Sequence, residues 1–340
     1  MRSTRIPHSV DLLLEKAWNK LSSAEKTKLA EDVLSVSTHF QEADGPQTPW
    51  EKFHQAYLFY FLPLNLARAK ALFESLEPLM TPLTEELFDL GAGYGNLTLL
   101  KEEFPDFLKG KITSIEHQPP PHSENLPTPP PSLKKLPFSL PASSVGFFSY
   151  SWVEMQTSLE QLEKFDTLIF MEPSTSVVAR KIMALRKDLI GRGFQALAPC
   201  THQKDCPLLL HSRTDWCHDR VYFEASPWFL ELESLLPMKN HSLTYTYLVV
   251  SRSRPALAQD WTRVIGDTLK EKGKSRQAIC FDDERRFLSW LKRDFEEIPV
   301  IDHGRLIKIE NALEKNAELR VRPLTHIVEF SRDRKAETPG

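Results

Sequence analysis

The run Asp89-Leu90-Gly91-Ala92-Gly93-Tyr94-Gly95 constrains the fold more than any other stretch of the chain. An apolar segment at residues 87–90 leads into it, and a helical pattern at 96–104 follows. Glycine is scarce, 12 in 340 residues, and three of the 12 fall within these five positions. Such residues are needed where a backbone turns tightly or lies close against a ligand. The spacing G-x-G-x-G is not the dinucleotide fingerprint G-x-G-x-x-G, and no lysine and hydroxyl pair completes a phosphate loop.

The surrounding pattern alternates strands with helices. Strands are predicted at 111–116, 145–151, 166–171, 194–198 and 243–250, and a helix at 177–190. The segment 166–171 is so apolar that both of its faces must be covered. Such alternation predicts a parallel sheet with helices on both sides. Before it, residues 9–80 read as helical, with a stripe of Leu12, Leu13, Leu14 and Trp18 and with Pro63 set to kink or split the segment 50–80. Nine of the 25 prolines lie between residues 118 and 141 (119, 120, 121, 127, 129, 130, 131, 137 and 141), where no regular helix can run. An extended, polyproline-like surface loop is expected in place of a crossover helix. Three units result: an N-terminal helical region, 1–80; an α/β core, 81–250; and a basic, β-containing extension, 251–330. From 251 to 276 seven basic side chains face three acidic ones. That run reads equally as an RNA contact or as a solvated charge run.

Composition excludes several classes. The net charge is -3, with 43 basic against 46 acidic side chains, so the chain is no polycation. No apolar run approaches the roughly 18–20 residues that span a bilayer, so no membrane role is expected. The first forty residues carry Asp11, Glu15, Glu25, Glu31 and Asp32, which a mitochondrial presequence would avoid, and the expected compartment is the cytoplasm.

All four cysteines, Cys200, Cys206, Cys217 and Cys280, fall in one quarter of the chain. Three of them sit among His202, Lys204, Asp205, Asp215 and His218, in polar loop sequence rather than an apolar core. Four thiolates suit zinc or an iron–sulfur cluster, and a bound metal would explain how so irregular a segment, 199–218, stays ordered. The paired C-x-x-C knuckles usual for structural zinc are absent, which favours iron–sulfur. His202, His211 and His218 are possible substitute ligands.

The glycine run resembles motif I of class I S-adenosylmethionine (SAM) methyltransferases, with its acidic residue two positions before the first glycine. In that family an acidic residue ending the second strand binds the ribose hydroxyls. Glu116 stands at that place, and a vicinal diol can donate two hydrogen bonds to a carboxylate. The resemblance therefore implies a SAM site of Asp89, Gly91, Gly93, Gly95 and Glu116. Further matches are Ser149-Tyr150-Ser151-Trp152-Val153-Glu154, Ala198-Pro199-Cys200, Cys206-Pro207-Leu208 and Trp216-Cys217-His218. So are Ala56-Tyr57 through Pro63 and the strand at 242–252. Together they resemble the methyltransferase-like proteins of small ribosomal subunit assembly, found in mitochondria and bacteria. That resemblance covers roughly residues 50–281. It implies a Rossmann-like core and a 4Fe–4S cluster on Cys200, Cys206, Cys217 and Cys280. It also implies binding to the small ribosomal subunit or its rRNA. A bacterial-type, cytoplasmic and monomeric member is expected.

Catalysis is less legible. The Asn/Asp-Pro-Pro-Tyr/Phe motif common to RNA base N-methyltransferases is replaced by Ser149-Tyr150-Ser151-Trp152. Tyr150 or Trp152 could stack a base and Glu154 could accept a proton, or all three could be lid and packing residues. The compact motif of radical SAM enzymes is missing. The first reading is thus a SAM-dependent rRNA methyltransferase. The second is a non-catalytic assembly factor with the same fold, and the third a zinc-stabilised methyltransferase acting on another substrate.

Overall fold

A computed structural model describes residues 2–41, 50–121, 132–257 and 260–330. The chain opens with β1 (Ser3–Thr4), α1 (His8–Trp18), α2 (Ser23–Gln41), α3 (Trp50–Ala56), a π-helical turn (Tyr57–Phe61) and α4 (Leu62–Leu76). The core comes next: β2 (Glu86–Leu90), α5 (Asn96–Leu100), β3 (Ile112–Ile115), β4 (Ser144–Ser149), α6 (Trp152–Met155), α7 (Leu159–Leu162), β5 (Thr167–Glu172) and α8 (Ser176–Gly191). It ends with β6 (Gln195–Ala198), α9 (Pro207–His211), β7 (Asp219–Phe223), α10 (Pro227–Ser234) and β8 (Ser242–Ser251). The remainder is all strand: β9 (Thr262–Val264), β10 (Leu269–Glu271), β11 (Lys274–Phe281), β12 (Glu284–Leu291), β13 (Leu306–Glu310), β14 (Leu313–Lys315), β15 (Glu318–Val321) and β16 (His326–Glu329).

The first sheet has the order β1-β7-β8-β5-β4-β2-β3, with β6 also beside β8. Strands β3, β2, β4 and β5 are parallel, whereas β8 enters antiparallel to β5. The strands β4 and β5 are buried along their whole length, and alternate residues serve opposite layers. Phe147, Ile169 and Val249 pack with Leu66 and Phe73 of α4 on one side; Phe148, Phe170 and Leu248 pack with Ile182 and Leu189 of α8 on the other. The period-two exchange between layers is why these segments read as continuously apolar. Successive strands β3 and β4 lie on opposite sides of β2, so the chain reverses direction there. A crevice opens at the carboxyl ends of strands at such a point.

Pro63 divides the helical region as expected, by a specific device. It has no N–H to donate to the turn before it, and the π-helical turn lies just ahead, with Pro63 in the first turn of α4. The helix expected at 96–104 is shorter, ending at Leu100 and continuing as turns. Of the proline-rich segment, residues 122–131, including prolines 127, 129, 130 and 131, lie outside the described residues. Just beyond them Leu133 rejoins the sheet edge: its N–H donates to the Ser114 carbonyl, and its carbonyl accepts from Glu116 N–H, both at 2.9 Å. A single parallel bridge, Ile115 with Leu133, stands where a crossover would deliver a further strand.

The extension forms a second eight-stranded sheet around its own core of Val264, Ile279, Leu288, Trp290, Ile307 and Leu319. Most of its basic run is partnered within the molecule. Arg254 pairs with Glu85, Arg263 with Asp219, Lys274 with Glu318 and Arg276 with Glu271, and Arg252 donates to two carbonyls. Of the seven basic residues, Lys270 and Lys272 remain as exposed cations outside these contacts.

Candidate functional site

The glycine run turns at the carboxyl end of β2, in the crevice. Gly91, Gly93 and Gly95 all have positive φ, at 68°, 51° and 83°. At Gly91 the demand is double, because a Cβ there would also lie 2.4 Å from the Cβ of Ser151. Gly91 and Ala92 N–H groups donate to the Ile115 carbonyl, at 2.9 and 3.1 Å, which ties the loop to β3. Glu116 reaches back to the same loop, accepting from Gly93 N–H at 2.9 Å and from Gln118 N–H at 3.0 Å. Asp89 is fully buried; its Oδ2 accepts from Leu97 N–H at 3.0 Å, while its Oδ1 has no partner. Burial, and secondarily the charge of Glu116, raise the Asp89 carboxyl to about 7 against the pull of the Leu97 N–H. Asn96 donates to Ser149 Oγ at 3.1 Å, and its buried Oδ1 is also unpartnered. The five residues predicted for the cofactor thus meet in one place, with two buried acceptor oxygens left over.

The opposite wall is the turn after β4. Tyr150 is held at φ 60°, an unusual value for a non-glycine residue, with the Arg68 guanidinium 5.5 Å from its ring centre. Glu172, ending β5, accepts from the N–H groups of Ser151 and Trp152 at 3.1 and 2.8 Å. Burial raises its carboxyl to about 8, with Glu154 adding to the effect and the two N–H groups opposing it. The Trp152 ring packs into the core, edge-on to Phe170 at 5.8 Å. Glu154 is exposed on α6. The part Glu172 plays in holding the 150–152 turn is not legible in sequence, since its partners follow another strand.

The cysteines form the second site. The strands β6 and β7 both lie antiparallel against β8, β6 beside Val249–Ser251 and β7 beside residues 242–245. They therefore occupy one edge, and the cysteine segment 199–218 is an excursion out of that edge. Gln203 closes the break: its side chain accepts from Ala196 N–H at 2.7 Å and donates to the Ala196 carbonyl at 2.8 Å. Cys206 caps α9, and Cys217 is fixed by its carbonyl, which accepts from Thr246 Oγ1 at 3.0 Å. Cys280 comes from β11 of the second sheet, its Sγ 3.6 Å from His202 Nε2. All four cysteines line one pocket, together with His202, Arg186 and Arg263. Among the described residues no group of three or more His, Cys, Asp or Glu is placed so that it could hold a metal ion as it stands. Burial pushes the Cys206, Cys217 and Cys280 thiols above their usual range, and the neighbouring thiols push further.

Of the three candidate histidines only His202 lines this pocket. His211 is exposed, and His218 stacks on His303 with ring centres 4.9 Å apart. The polar residues of the segment clamp it to the second sheet. Lys204 pairs with Asp283 at 3.1 Å, Asp215 with Arg285 at 2.6 Å, and His303 Nε2 donates to the His218 carbonyl at 2.9 Å. Behind Cys217, Asp219 is wholly buried between Arg2 at 3.0 Å and Arg263 at 3.1 Å. Burial would raise that carboxyl, but the two guanidinium charges outweigh it and hold it low. Arg186, Arg263 and Asp219 were missed because their signal is tertiary: in sequence Arg263 is one of seven basic residues.

The fold and the crevice define a class: a Rossmann-like SAM-methyltransferase core carrying a β extension. The resemblance to the ribosomal family is borne out within it, since residues 154–294, which include all four cysteines, match the model of the family described as mitochondrial small ribosomal subunit Rsm22. No curated protein matches. Among solved structures, the plantazolicin methyltransferase BpumL in complex with SAH aligns at 10% identity and a TM-score of 0.29, over 70% of this chain and 98% of its own. A second structure of that enzyme, with a pentazolic desmethylPZN analog and SAH, gives 10%, 0.29, 72% and 99%. At those scores neither bears on the reading. The family match overturns one expectation, a bacterial-type cytoplasmic member, because the matching family is the mitochondrial one. The composition of residues 1–40 misled for a physical reason. Asp11 accepts from Trp228 Nε1 at 2.7 Å, so an acidic residue in that stretch serves packing.

Proposed function

We propose that this chain is a SAM-binding, methyltransferase-like protein of the small ribosomal subunit. In this reading it holds a 4Fe–4S cluster on Cys200, Cys206, Cys217 and Cys280. The observation that carries the cluster reading is the convergence of four cysteines, from a loop and from a strand of another sheet, on one pocket. Four thiols lining one pocket are a donor set that suits a metal group. When bound, the cluster would supply cross-linking and a redox-sensitive centre.

On the SAM side, Glu116 keeps lone pairs free for a ribose diol, and the unpartnered Asp89 Oδ1 fits a donor or cation brought by the ligand. Gly91 and Gly93 let the backbone come within reach of it. A methyl transfer would then rest on positioning an acceptor in line with the sulfonium. One feature favours the non-catalytic reading. The N–H groups of the 151–152 turn are already committed to Glu172, and the partly buried Trp152 ring packs edge-on against Phe170. Methyl incorporation into isolated small subunits decides between the two, and none under conditions where SAM binds would remove the enzyme reading.

The test of the cluster is an iron and acid-labile sulfide assay on protein purified without oxygen, with its visible spectrum. Brown protein with matched iron and sulfide is expected. Colourless protein with one zinc would sink the cluster and favour a zinc-stabilised methyltransferase. Asp89→Ala and Glu116→Ala should each weaken SAM binding at least tenfold by calorimetry while leaving metal content unchanged.

A further inference from the structure

The wall of the cysteine pocket carries two buried guanidiniums and no carboxylate. Arg186, on α8, and Arg263, on β9, both line it and are 2% and 4% exposed. Arg186 donates from Nη1 to the Lys204 carbonyl at 2.8 Å and from Nη2 to the His202 carbonyl, and its buried Nε has no partner. Among the described residues no carboxylate lies within ion-pair distance of it. Arg263 shares one carboxylate, Asp219, with Arg2, so three residues leave an excess positive charge. Its guanidinium is further fixed 5.3 Å from the Tyr247 ring centre. Burying two uncompensated cations beside a pocket is costly unless an anion fills it.

We propose that Arg186 and Arg263 are positioning residues of the cysteine site, which compensate the negative charge of a bound iron–sulfur cluster with its thiolates and so raise its reduction potential. The inference rests on the cluster reading above. A 4Fe–4S cluster with four thiolates is a dianion when oxidised and gains one more negative charge on one-electron reduction, without taking up a proton. A fixed positive charge in a low-dielectric wall stabilises the reduced form more than the oxidised one. Arg186 also holds the loop between Cys200 and Cys206 through its two carbonyl bonds, and Arg263 links the pocket to the second sheet. The same two side chains therefore set both charge and geometry.

The experiment is a potentiometric titration of the full chain, purified without oxygen and reduced with dithionite, followed by its spectrum and electron paramagnetic resonance. Arg263→Gln and Arg186→Gln should each lower the reduced-to-oxidised ratio at a given potential about tenfold, a fall of about 59 mV for one electron. Arg263→Lys should restore most of the shift, whereas Arg276→Gln, whose partner is the distant Glu271, should leave the potential at the wild-type value. Should Arg263→Gln fail to fold for want of its Asp219 contact, Arg186→Gln, which touches only carbonyls, carries the test. Unchanged potentials in glutamine variants that retain iron and sulfide would overturn the proposal while leaving the cluster reading intact. Wild-type protein without iron and sulfide would overturn the cluster reading, and this inference with it.

Discussion

A single methyl group decides the shape of the crevice after β2. Gly91 sits at positive φ and faces Ser151 so closely that Gly91→Ala must displace the turn after β4 or the loop after β2. The expected outcome is a loss of about 1–3 kcal/mol of stability in urea unfolding, together with weaker SAM binding. At Glu172 the decision is electrostatic. Its folded carboxyl titrates near 8, well above its ordinary value of 4.5, so the folded state binds the proton more tightly than the unfolded chain does. The associated stability is present below pH 4.5 and is lost as pH rises towards 8. Glu172→Gln keeps an oxygen for the Ser151 and Trp152 N–H groups and removes that loss. The variant should match the wild type in urea at pH 4.5 and exceed it by about 4 kcal/mol at pH 8. Equal pH slopes in the two proteins would refute the assignment. The glycines were readable in sequence, because only a few residue types tolerate their conformation. Glu172 was not, because its partners come from another strand.

The cysteine segment is a strand edge that has been opened. β6 and β7 flank β8 in sequence along one side, and residues 199–218 leave the sheet between them. Little apolar surface is buried within the excursion; Leu208 is its large buried aliphatic, and the rest is held by Gln203, Lys204 and Asp215. Such a segment depends on whatever its thiols bind. Cys206→Ser is expected to lose metal and to admit limited proteolysis between residues 199 and 218, with the β4–β5 core protected from hydrogen exchange. Unchanged metal content and protease resistance would contradict this. The clustering of the cysteines in one quarter of the chain was plain in the sequence. The opened edge did not show, since antiparallel pairing with β8 joins residues that are far apart along the chain.

At the scale of the whole molecule, one carboxylate joins three parts of the chain. Asp219, on the core strand β7, binds Arg2 from the amino-terminal segment and Arg263 from the second sheet, and it is wholly buried. Removing it leaves two guanidiniums unpaired, whereas its amide isostere keeps part of the hydrogen bonding. Asp219→Ala should therefore cost about 3–5 kcal/mol in chemical unfolding, and Asp219→Asn less. If Asp219→Ala unfolds like the wild type, the carboxylate is not what joins these parts. The contacts of this junction adjoin the cysteine pocket, so loading of the pocket and docking of the second sheet share one interface.

The sequence by itself determined the local chemistry of this protein. Scarce glycines had to mark a tight turn, apolar runs had to become covered strands, and three cysteines close together in polar loop sequence had to lie near one another. Each of those inferences rests on a property of one residue or on a short-range period. Only the tertiary structure decided which charges are spent inside the molecule, that Trp152 is packing, and that Cys280 meets the other three. It also drew Arg254 and Arg263 out of the basic run 251–276 into ion pairs inside the molecule. The physical reason is common to all four: burial and pairing depend on which distant segments come together, and those distances are set by the sheet order rather than by the spacing along the chain.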